Sequence, residues 1–325
     1  MPVTGRGYAP KMTPPMPAPD RILLTGAGGF VGRHLRAALT AAYPGATLLD
    51  ERIELRAAGA VAAAVAAARP DVCVHLAAVS TQAAARQDTA RAWEVNLHGS
   101  LHLAEAILRL APDCQLLFAS SADAYGGAGA DGTPIDEAAP LAPKNLYAAT
   151  KAAADLALGA LVPNGLRLVR LRPFNHTGPG QSADLVIPAF ARQVARIEAG
   201  LQPPRLQVGN LDTWRDFLDV RDVCTAYLAC IERRDRLAPG SIFNIGSGRA
   251  LRIGDVLAEL LALGGISAEL QAETARLRTH DLPRSVADPA RAQALLGWSP
   301  AIPWRHTLAD VLDDWRRRTG AAAAG

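Results

Sequence analysis

The chain of 325 residues contains little cysteine, few aromatic residues and almost no net charge. The four cysteines form no Cys-x-x-Cys pair and lie in apolar stretches, so we expect reduced thiols in the core. The seven histidines show no metal-ligand spacing, and no metal is predicted. The net charge is +3, and no run of Lys and Arg indicates a nucleic-acid partner.

Long apolar segments are also missing. No stretch reaches the roughly 18 apolar residues of a membrane span, and the N-terminus lacks the apolar core of a signal peptide. We therefore expect no membrane partner and a cytoplasmic location. Residues 1–19 are rich in proline, which favours neither helix nor central strand, so we predict a disordered extension there.

A glycine-rich turn follows the first predicted strand, Arg21–Thr25. It contains Gly26, Gly29 and Gly32, with Phe30 and Val31 between the last two, and it opens a helical stretch. Glycines between a strand and a helix let the backbone approach a pyrophosphate and direct the helix N-terminus at it. The turn therefore predicts a dinucleotide site formed by these five residues.

Strand and helix patterns alternate from residue 21 to about residue 175, which predicts an α/β fold with a Rossmann-type, doubly wound parallel sheet. After this the pattern changes, and we predict a smaller, discontinuous α/β substrate-binding lobe at the C-terminal side. The predicted nucleotide-binding domain comprises 20–177 with 218–248, and the lobe comprises 178–217 with 249–325.

Two further features bear on the cofactor. Asp50 ends the second predicted strand, 18 positions after Gly32, where a carboxylate binds ribose hydroxyls and repels a 2′-phosphate. Asp50 thus favours NAD(H) over NADP(H), although Arg52 could pair with a 2′-phosphate. Another strand ends in Leu76, Ala77 and Ala78, which leave room for a cofactor. His75 beside them is expected to be a core residue.

Tyr147 and Lys151 lie four residues apart in a helical run, so their side chains share one face. A phenol loses its proton only near pH 10, and an adjacent cation lowers this pKa. The pair could then exchange a proton with a sugar hydroxyl or carbonyl. Ser121, at the end of the predicted strand 115–120, could hydrogen-bond the reacting oxygen. We predict these three residues to be catalytic.

Eight motifs occur in this order: TGAGGFVG (25–32), HLAA (75–78), Asn96 with Gly99, SSADAYG (120–126), YAATK (147–151), FNHTGPG (174–180), RDFLDVRD (215–222) and LGWSP (296–300). In these motifs the chain resembles the extended short-chain dehydrogenase/reductase family of nucleotide-sugar epimerases, dehydratases and reductases. The resemblance covers almost everything after Asp20. Within the family, PFNHTGPGQ and VGNLDTWRDFLDVRDV are most similar to the branch that acts on GDP-mannose derivatives.

The resemblance implies a role for each matching residue. Tyr147 would protonate the C4 oxygen, Ser121 would polarise the carbonyl, and Lys151 would bind the nicotinamide ribose and lower the tyrosine pKa; Asn96 would belong to the cofactor site. A GDP-linked hexose is the favoured substrate, and the residues implied to hold it are Asp123, Asn175, Gly209, Asn210, Arg215 and Arg278. The family also implies a homodimer through a four-helix bundle, formed here by residues 91–110 and 146–161.

Three activities remain open at this point. The leading one is reduction of the C4 ketone of a GDP-4-keto-6-deoxyhexose, converting GDP-4-keto-6-deoxy-D-mannose to GDP-D-rhamnose with NAD(H) or NADP(H). The alternatives are a C4 epimerase with tightly bound NAD and a GDP-mannose 4,6-dehydratase. Dehydratase relatives carry an acid pair where this chain has Ala122 and Asp123, which disfavours elimination. A binding module without activity would require a broken catalytic trio.

Overall fold

The computed structural model describes residues 17–129, 131–273 and 282–323. Strands and helices alternate along most of this chain. The strands are β1 (Arg21–Thr25), β2 (Thr47–Leu49), β3 (Val72–His75), β4 (Gln115–Ala119), β5 (Arg167–Pro173), β6 (Asn175–Thr177), β7 (Arg205–Val208), β8 (Trp214–Asp219), β9 (Ser241–Ile245), β10 (Ala250–Arg252), β11 (Glu269–Ala272) and β12 (Arg284–Ser285).

The helices have the following bounds: α1 (Phe30–Ala42), α2 (Ala58–Ala68), α3 (Gln82–Gln87), α4 (Thr89–Trp93), α5 (Gly99–Leu110), α6 (Leu146–Gly159), α7 (Val186–Glu198), α8 (Val220–Glu232), α9 (Ile253–Gly264), α10 (Ala290–Leu296) and α11 (Trp304–Ala323). A π turn (Glu94–His98) and two 3-10 turns (Ala122–Tyr125 and Val162–Asn164) complete the regular structure. None of the helices in the described ranges could span a bilayer.

Six parallel strands form the central sheet in the order β2-β1-β3-β4-β5-β9, which confirms the predicted α/β fold. The chain runs from β1 to β2 on one side and then crosses to β3 on the other side of β1. This reversal opens a crevice above the carboxyl ends of β1 and β3, where doubly wound sheets bind their ligands. The glycine-rich turn follows β1 at that point.

Apolar side chains cover both faces of this sheet. One core joins the sheet to α1 and α8 and includes Leu35 and Val223, and a second joins it to α2, α5 and α6. A third core lies between α7, α9 and α11 and includes Phe217 of β8. Leu296, at the end of α10, belongs to the first core, although the sequence placed 249–325 with the second lobe.

Two small sheets accompany the third core. β8 lies between β10 and β12 and also pairs with β6, while β7 pairs with β11. β6 begins two residues after β5, so the chain passes directly from the carboxyl edge of the central sheet to β8. This connection places β8, which carries the expected substrate residue Arg215, next to the carboxyl edge of the central sheet.

The helix predicted over residues 91–110 is not one regular α-helix. α4 passes into the π turn Glu94–His98 before α5 continues to Leu110. A π turn widens the helix by one residue and occurs often at functional sites. Asn96 lies at its centre, and the composition of this segment, which suits an α-helix, gave no sign of the interruption.

Candidate active site

The glycine-rich turn has no space for side chains at two positions. Gly26 has φ +78°, and a Cβ there would lie 2.6 Å from the amide nitrogen of Ala77. A Cβ on Gly32 would lie 2.1 Å from the Gly26 carbonyl oxygen. Gly29 precedes α1, whose N-terminus has no capping side chain. The turn and the helix N-terminus are suited to a dinucleotide pyrophosphate, and the site stays a prediction.

The same turn is tied to the FNHTGPG segment. The rings of Phe30 and His176 stack with centroids 6.2 Å apart and planes 5° apart. Arg33 donates to the Gly28 carbonyl at 2.8 Å and to the Gly180 carbonyl at 3.0 Å. These contacts hold the predicted cofactor turn against the segment that contains the predicted substrate residue Asn175.

Asp50 follows β2 and is 23% exposed, within reach of solvent at the sheet edge. Its Oδ2 lies 2.6 Å from Nε of Arg36 on α1. Arg52 is exposed. Asp50, the carboxylate predicted to bind ribose, therefore forms an ion pair with Arg36. This partner was not predicted from the sequence, although it lies only four residues after Gly32 of the glycine-rich turn.

The carboxyl end of β3 borders the crevice, and Leu76, Ala77 and Ala78 are half-buried there. His75 is buried between Thr25 and Ser100, with Nδ1 2.7 Å from the threonine Oγ1 and Nε2 3.0 Å from the serine Oγ. Burial, with a smaller contribution from the charge of Lys151, lowers the pKa of His75 to about 3. The imidazole is neutral and both its nitrogens are occupied, which fits the expected structural role.

Asn96 connects two parts of the site. Its Oδ1 accepts from the Val79 amide at 2.8 Å, and its Nδ2 donates to the Val79 carbonyl at 3.0 Å and to Thr150 Oγ1 at 2.9 Å. The side chain is 1% exposed. Asn96 therefore fixes Val79, which follows β3, and Thr150, which precedes Lys151. Through these two residues it supports the predicted cofactor site.

Ser121 and Tyr147 meet at the carboxyl end of β4. Ser121 is buried and opens the 3-10 turn Ala122–Tyr125, where its Oγ accepts from the Asp123 amide at 3.1 Å. Burial and the negative charge of Asp123 raise the pKa of Tyr147, whereas the neighbouring Ser121 hydroxyl opposes this rise. Asp123 itself is exposed. At neutral pH the phenol is therefore protonated.

Lys151 occupies the same face of α6 and is 3% exposed. Its Nζ donates to the Ala119 carbonyl at 2.8 Å and lies 5.0 Å from the centroid of the Phe118 ring. Burial lowers the pKa of Lys151 to about 8, and the charge of Asp155 opposes this effect. The expectation that the lysine lowers the tyrosine pKa is wrong for this structure. The ammonium of Lys151 is directed at β4, and burial of the Tyr147 phenol raises its pKa.

Two of the expected substrate residues, Asn175 and Arg215, lie on the paired strands β6 and β8, whereas Asp123 lies in the 3-10 turn after β4. Asn175 is exposed and pairs in register with Phe217, two residues beyond Arg215 on the same face of β8. Arg215 is half-buried and donates to the Trp214 carbonyl at 2.8 Å. Gly209 and Asn210 form the β7–β8 connection. Arg278 lies outside the described residues.

A buried polar network that was not predicted from the sequence lies behind α6. Asp155 on α6 pairs with Arg170 and Arg172 on β5, and Arg172 also donates to Tyr125 at 2.9 Å. Tyr125 donates to Asn244 on β9 at 2.7 Å. The sequence contains one local sign of this network: Asp155 follows Lys151 by four residues, as Lys151 follows Tyr147. Its partners, Arg170 and Arg172, are too distant in sequence to be identified from spacing.

Comparison with known proteins identifies the family to which this chain belongs. The model of the NAD dependent epimerase/dehydratase family matches residues 22–246, from β1 through β9. The chain belongs to that family. The resemblance deduced from the eight motifs is thereby confirmed. The matched range contains the glycine-rich turn, Ser121, Tyr147 and Lys151.

Individual relatives match over nearly their full length. GDP-6-deoxy-D-mannose reductase of Pseudomonas aeruginosa is 36% identical over 305 residues, covering 92% of this chain and 98% of that protein. UDP-glucose 4-epimerase of Azospirillum brasilense is 29% identical, covering 91% of this chain and 95% of that protein.

Solved structures of nucleotide-sugar enzymes are similar to this chain over nearly its full length. RMD from Pseudomonas aeruginosa complexed with NADPH superposes with a TM-score of 0.84 at 34% identity, covering 92% of this chain and 99% of that one. UDP-glucose 4-epimerase of Thermus thermophilus in complex with NAD superposes with a TM-score of 0.79 at 29% identity, covering 91% and 99%. Members with either nicotinamide cofactor therefore share this fold.

Proposed function

We propose that the protein is an NAD(P)H-dependent oxidoreductase that reduces the C4 ketone of a GDP-4-keto-6-deoxyhexose, converting GDP-4-keto-6-deoxy-D-mannose to GDP-D-rhamnose. The observation that carries the proposal is the Ser121 hydroxyl beside the Tyr147 phenol at the carboxyl edge of the sheet, with Lys151 on the same helix face as Tyr147. The 36% identity to GDP-6-deoxy-D-mannose reductase supports this choice of reaction.

The residues fit a proton donor to a carbonyl. When bound, a reduced nicotinamide supplies the hydride. Burial keeps the Tyr147 phenol protonated, which is the form needed to give a proton to the developing C4 alkoxide. Ser121 would hold that oxygen by its hydroxyl. The glycine-rich turn and α1 would hold the pyrophosphate, and Lys151 the nicotinamide ribose.

A pH dependence follows from Lys151. Its ammonium has to be charged to donate to ribose hydroxyls, and burial lowers its pKa to about 8. A group that acts in its protonated form loses effect as the pH rises through its pKa. We therefore expect kcat/KM for reduction to be constant near neutrality and to fall above about pH 8. A constant value up to pH 10, the range of an ordinary lysine, would contradict this assignment.

The substrate would bind in the lobe formed by residues 178–217 with 249 onward, whose boundaries remain a proposal. Asn175 and Arg215, on paired strands, are suited to a diphosphate, because guanidinium groups bind phosphate through two hydrogen bonds. Among the described residues, the lining of a cavity of about 490 Å³ in this lobe contains no carboxylate, which suits an anionic nucleotide. Its lining includes Arg192, Gln193, Arg196, Arg205, Gln207 and Gln271.

For the cofactor we propose that NADH is accepted at least as well as NADPH. Asp50 provides the carboxylate that binds ribose hydroxyls, and its ion-pair partner Arg36 provides a cation for a 2′-phosphate. The presence of NADPH in the RMD structure and of NAD in the epimerase structure is compatible with this dual capacity.

We further propose a homodimer through α5, α6 and the segment that precedes α5. Leu156 on the outer face of α6 is 60% exposed, and an apolar side chain exposed to this degree on a helix suits an interface. The cytoplasmic location stays a prediction.

The test is incubation of the purified protein with GDP-4-keto-6-deoxy-D-mannose and NADH or NADPH, followed by cofactor absorbance and product mass. We expect loss of reduced cofactor in proportion to a product heavier by one hydride and one proton. Tyr147→Phe, which removes one oxygen, is the matched control and should lose most of the activity. Unchanged cofactor with isomerised sugar would favour the epimerase, and loss of water from GDP-mannose the dehydratase.

A further inference from the structure

The inner face of α6 carries a carboxylate that the reaction above does not use. Asp155 follows Lys151 by four residues, as Lys151 follows Tyr147, so the three side chains form one stripe along the helix. Asp155 is 0% exposed and Lys151 is 3% exposed. A carboxylate is buried this completely only where charged partners compensate for its lost hydration.

The partners of Asp155 come from the central sheet. Arg170 and Arg172 alternate with Leu171 on β5, so both guanidinium groups project toward α6. Arg172 Nε lies 2.9 Å from Asp155 Oδ2 and its Nη2 lies 2.8 Å from Oδ1, a two-point ion pair. Arg170 Nη1 is 3.1 Å from Oδ1. This pairing fixes the rotation of α6 against the sheet.

Arg172 also holds the other side of the catalytic site. Its Nη1 donates to the Tyr125 hydroxyl at 2.9 Å, and its guanidinium lies 4.9 Å from the centroid of that ring. Tyr125 ends the 3-10 turn that begins immediately after Ser121. One guanidinium thus links the helix that carries Tyr147 and Lys151 to the turn that follows Ser121.

We propose that Asp155 is a positioning residue for the reaction: paired with Arg172, it orients the turn of α6 that presents Lys151 to β4, and it supplies the negative charge that keeps the lysine protonated. The consequence for turnover rests on the proposed function. The ionisation of Lys151 does not, and it can be measured without substrate.

The remaining charges around Lys151 are few or distant. His75 on β3 is buried and neutral, Tyr125 is un-ionised, and Asp123 is exposed. Arg170 and Arg172 form ion pairs with Asp155, and Asp155 is the group whose charge favours the ammonium form of Lys151. On the segments packed against the outer part of α6, His102 is half-buried, with its Nδ1 2.9 Å from the Leu55 carbonyl oxygen. The other charged or titratable side chains there are exposed: Arg86, Asp88, Arg91, Glu94, His98, Glu105 and Arg109.

The small number of lysines makes a direct titration practical. The chain has three, Lys11, Lys144 and Lys151, so carbon-13 labelling of lysine gives few side-chain signals. Lys151→Arg identifies the signal of Lys151, and exposed Lys144 serves as an internal reference. We expect Asp155→Asn to lower the Lys151 midpoint by about one pH unit or more, because an opposite charge is removed. Lys144 should not change.

Asp155→Glu is the matched variant, because it also disturbs the packing but keeps the negative charge. We expect its Lys151 midpoint to stay within about half a unit of the unchanged protein, and the alkaline limb of kcat/KM to follow the midpoint in both variants. Equal shifts in the two variants, or no shift in either, would overturn the proposal and leave Asp155 with a packing role alone.

A second variant keeps the test decisive if Asp155→Asn does not fold. Arg170→Met leaves the Asp155–Arg172 pair intact and removes one nearby positive charge. The Lys151 midpoint should then rise, and a constant or lower midpoint would overturn the proposal. If the midpoints shift as expected while no ketone is reduced, the electrostatic inference stands and the proposed function fails.

Discussion

Replacing Asn96 by alanine should damage both stability and cofactor binding. The substitution removes three hydrogen bonds, two to the backbone of Val79 and one to Thr150. A buried hydrogen bond contributes about 1 kcal/mol, and leaving its partner unpaired costs about 1–3 kcal/mol. Val79 is half-buried and regains some hydration. The expected loss is therefore about 3 kcal/mol, out of a total stability of about 5–15 kcal/mol.

The functional part of this prediction follows from what Asn96 holds in place. Val79 follows Leu76, Ala77 and Ala78, which border the crevice, and Thr150 precedes Lys151. Loosening both segments should raise the KM for reduced cofactor by about tenfold, equivalent to about 1.4 kcal/mol of binding.

The assays are urea unfolding followed by tryptophan fluorescence and steady-state kinetics with varied cofactor. Thr150→Val is the graded control, because it removes one of the three Asn96 bonds together with the bond from Thr150 to the Tyr147 carbonyl. It should cost about 1–2 kcal/mol. The reasoning is refuted if Asn96→Ala stays within about 0.5 kcal/mol of the unchanged protein, or if the cofactor KM is unaffected.

Three further substitutions test other parts of the account. Asp50→Ala should raise the KM for NADH by about tenfold and leave that for NADPH equal or lower, since Arg36 is released; an unchanged cofactor preference would disprove the role of Asp50. Asp216→Ala should cost about 3–4 kcal/mol, because its buried carboxylate accepts bonds from Ser247, Gly248 and Ala287. Exposed Asp212→Ala is the comparison, and equal losses for the two would contradict this account. Leu156→Glu should convert the proposed dimer to a monomer in light scattering, whereas Leu295→Glu, also exposed, should not; a dimer that survives Leu156→Glu would rule out this interface.

Local features were predictable because their signals lie within a few residues of each other. Gly26 and Gly32 lie too close to neighbouring backbone for a side chain, and the sequence shows them between a strand and a helix. The common face of Tyr147 and Lys151 follows from helix geometry alone. The order of strands and helices likewise gave the parallel sheet that the structure contains.

The partners of the site residues were not predictable in the same way. The Asp155–Arg172 pair joins α6 to β5, and Asn96 reaches Val79 and Thr150, contacts that exist only after the sheet has formed. The direction of the Lys151 ammonium depends on the Ala119 carbonyl at the end of β4. The π turn arises in a segment whose residues suit an α-helix equally well.

The most direct test of the central claim uses NADH carrying deuterium at the transferable position, with GDP-4-keto-6-deoxy-D-mannose as substrate. The account predicts a product with one deuterium at C4, formed in equal amount to oxidised cofactor, and almost none with Tyr147→Phe. A product without deuterium, formed while the reduced cofactor persists, would contradict the assignment as a C4-ketone reductase.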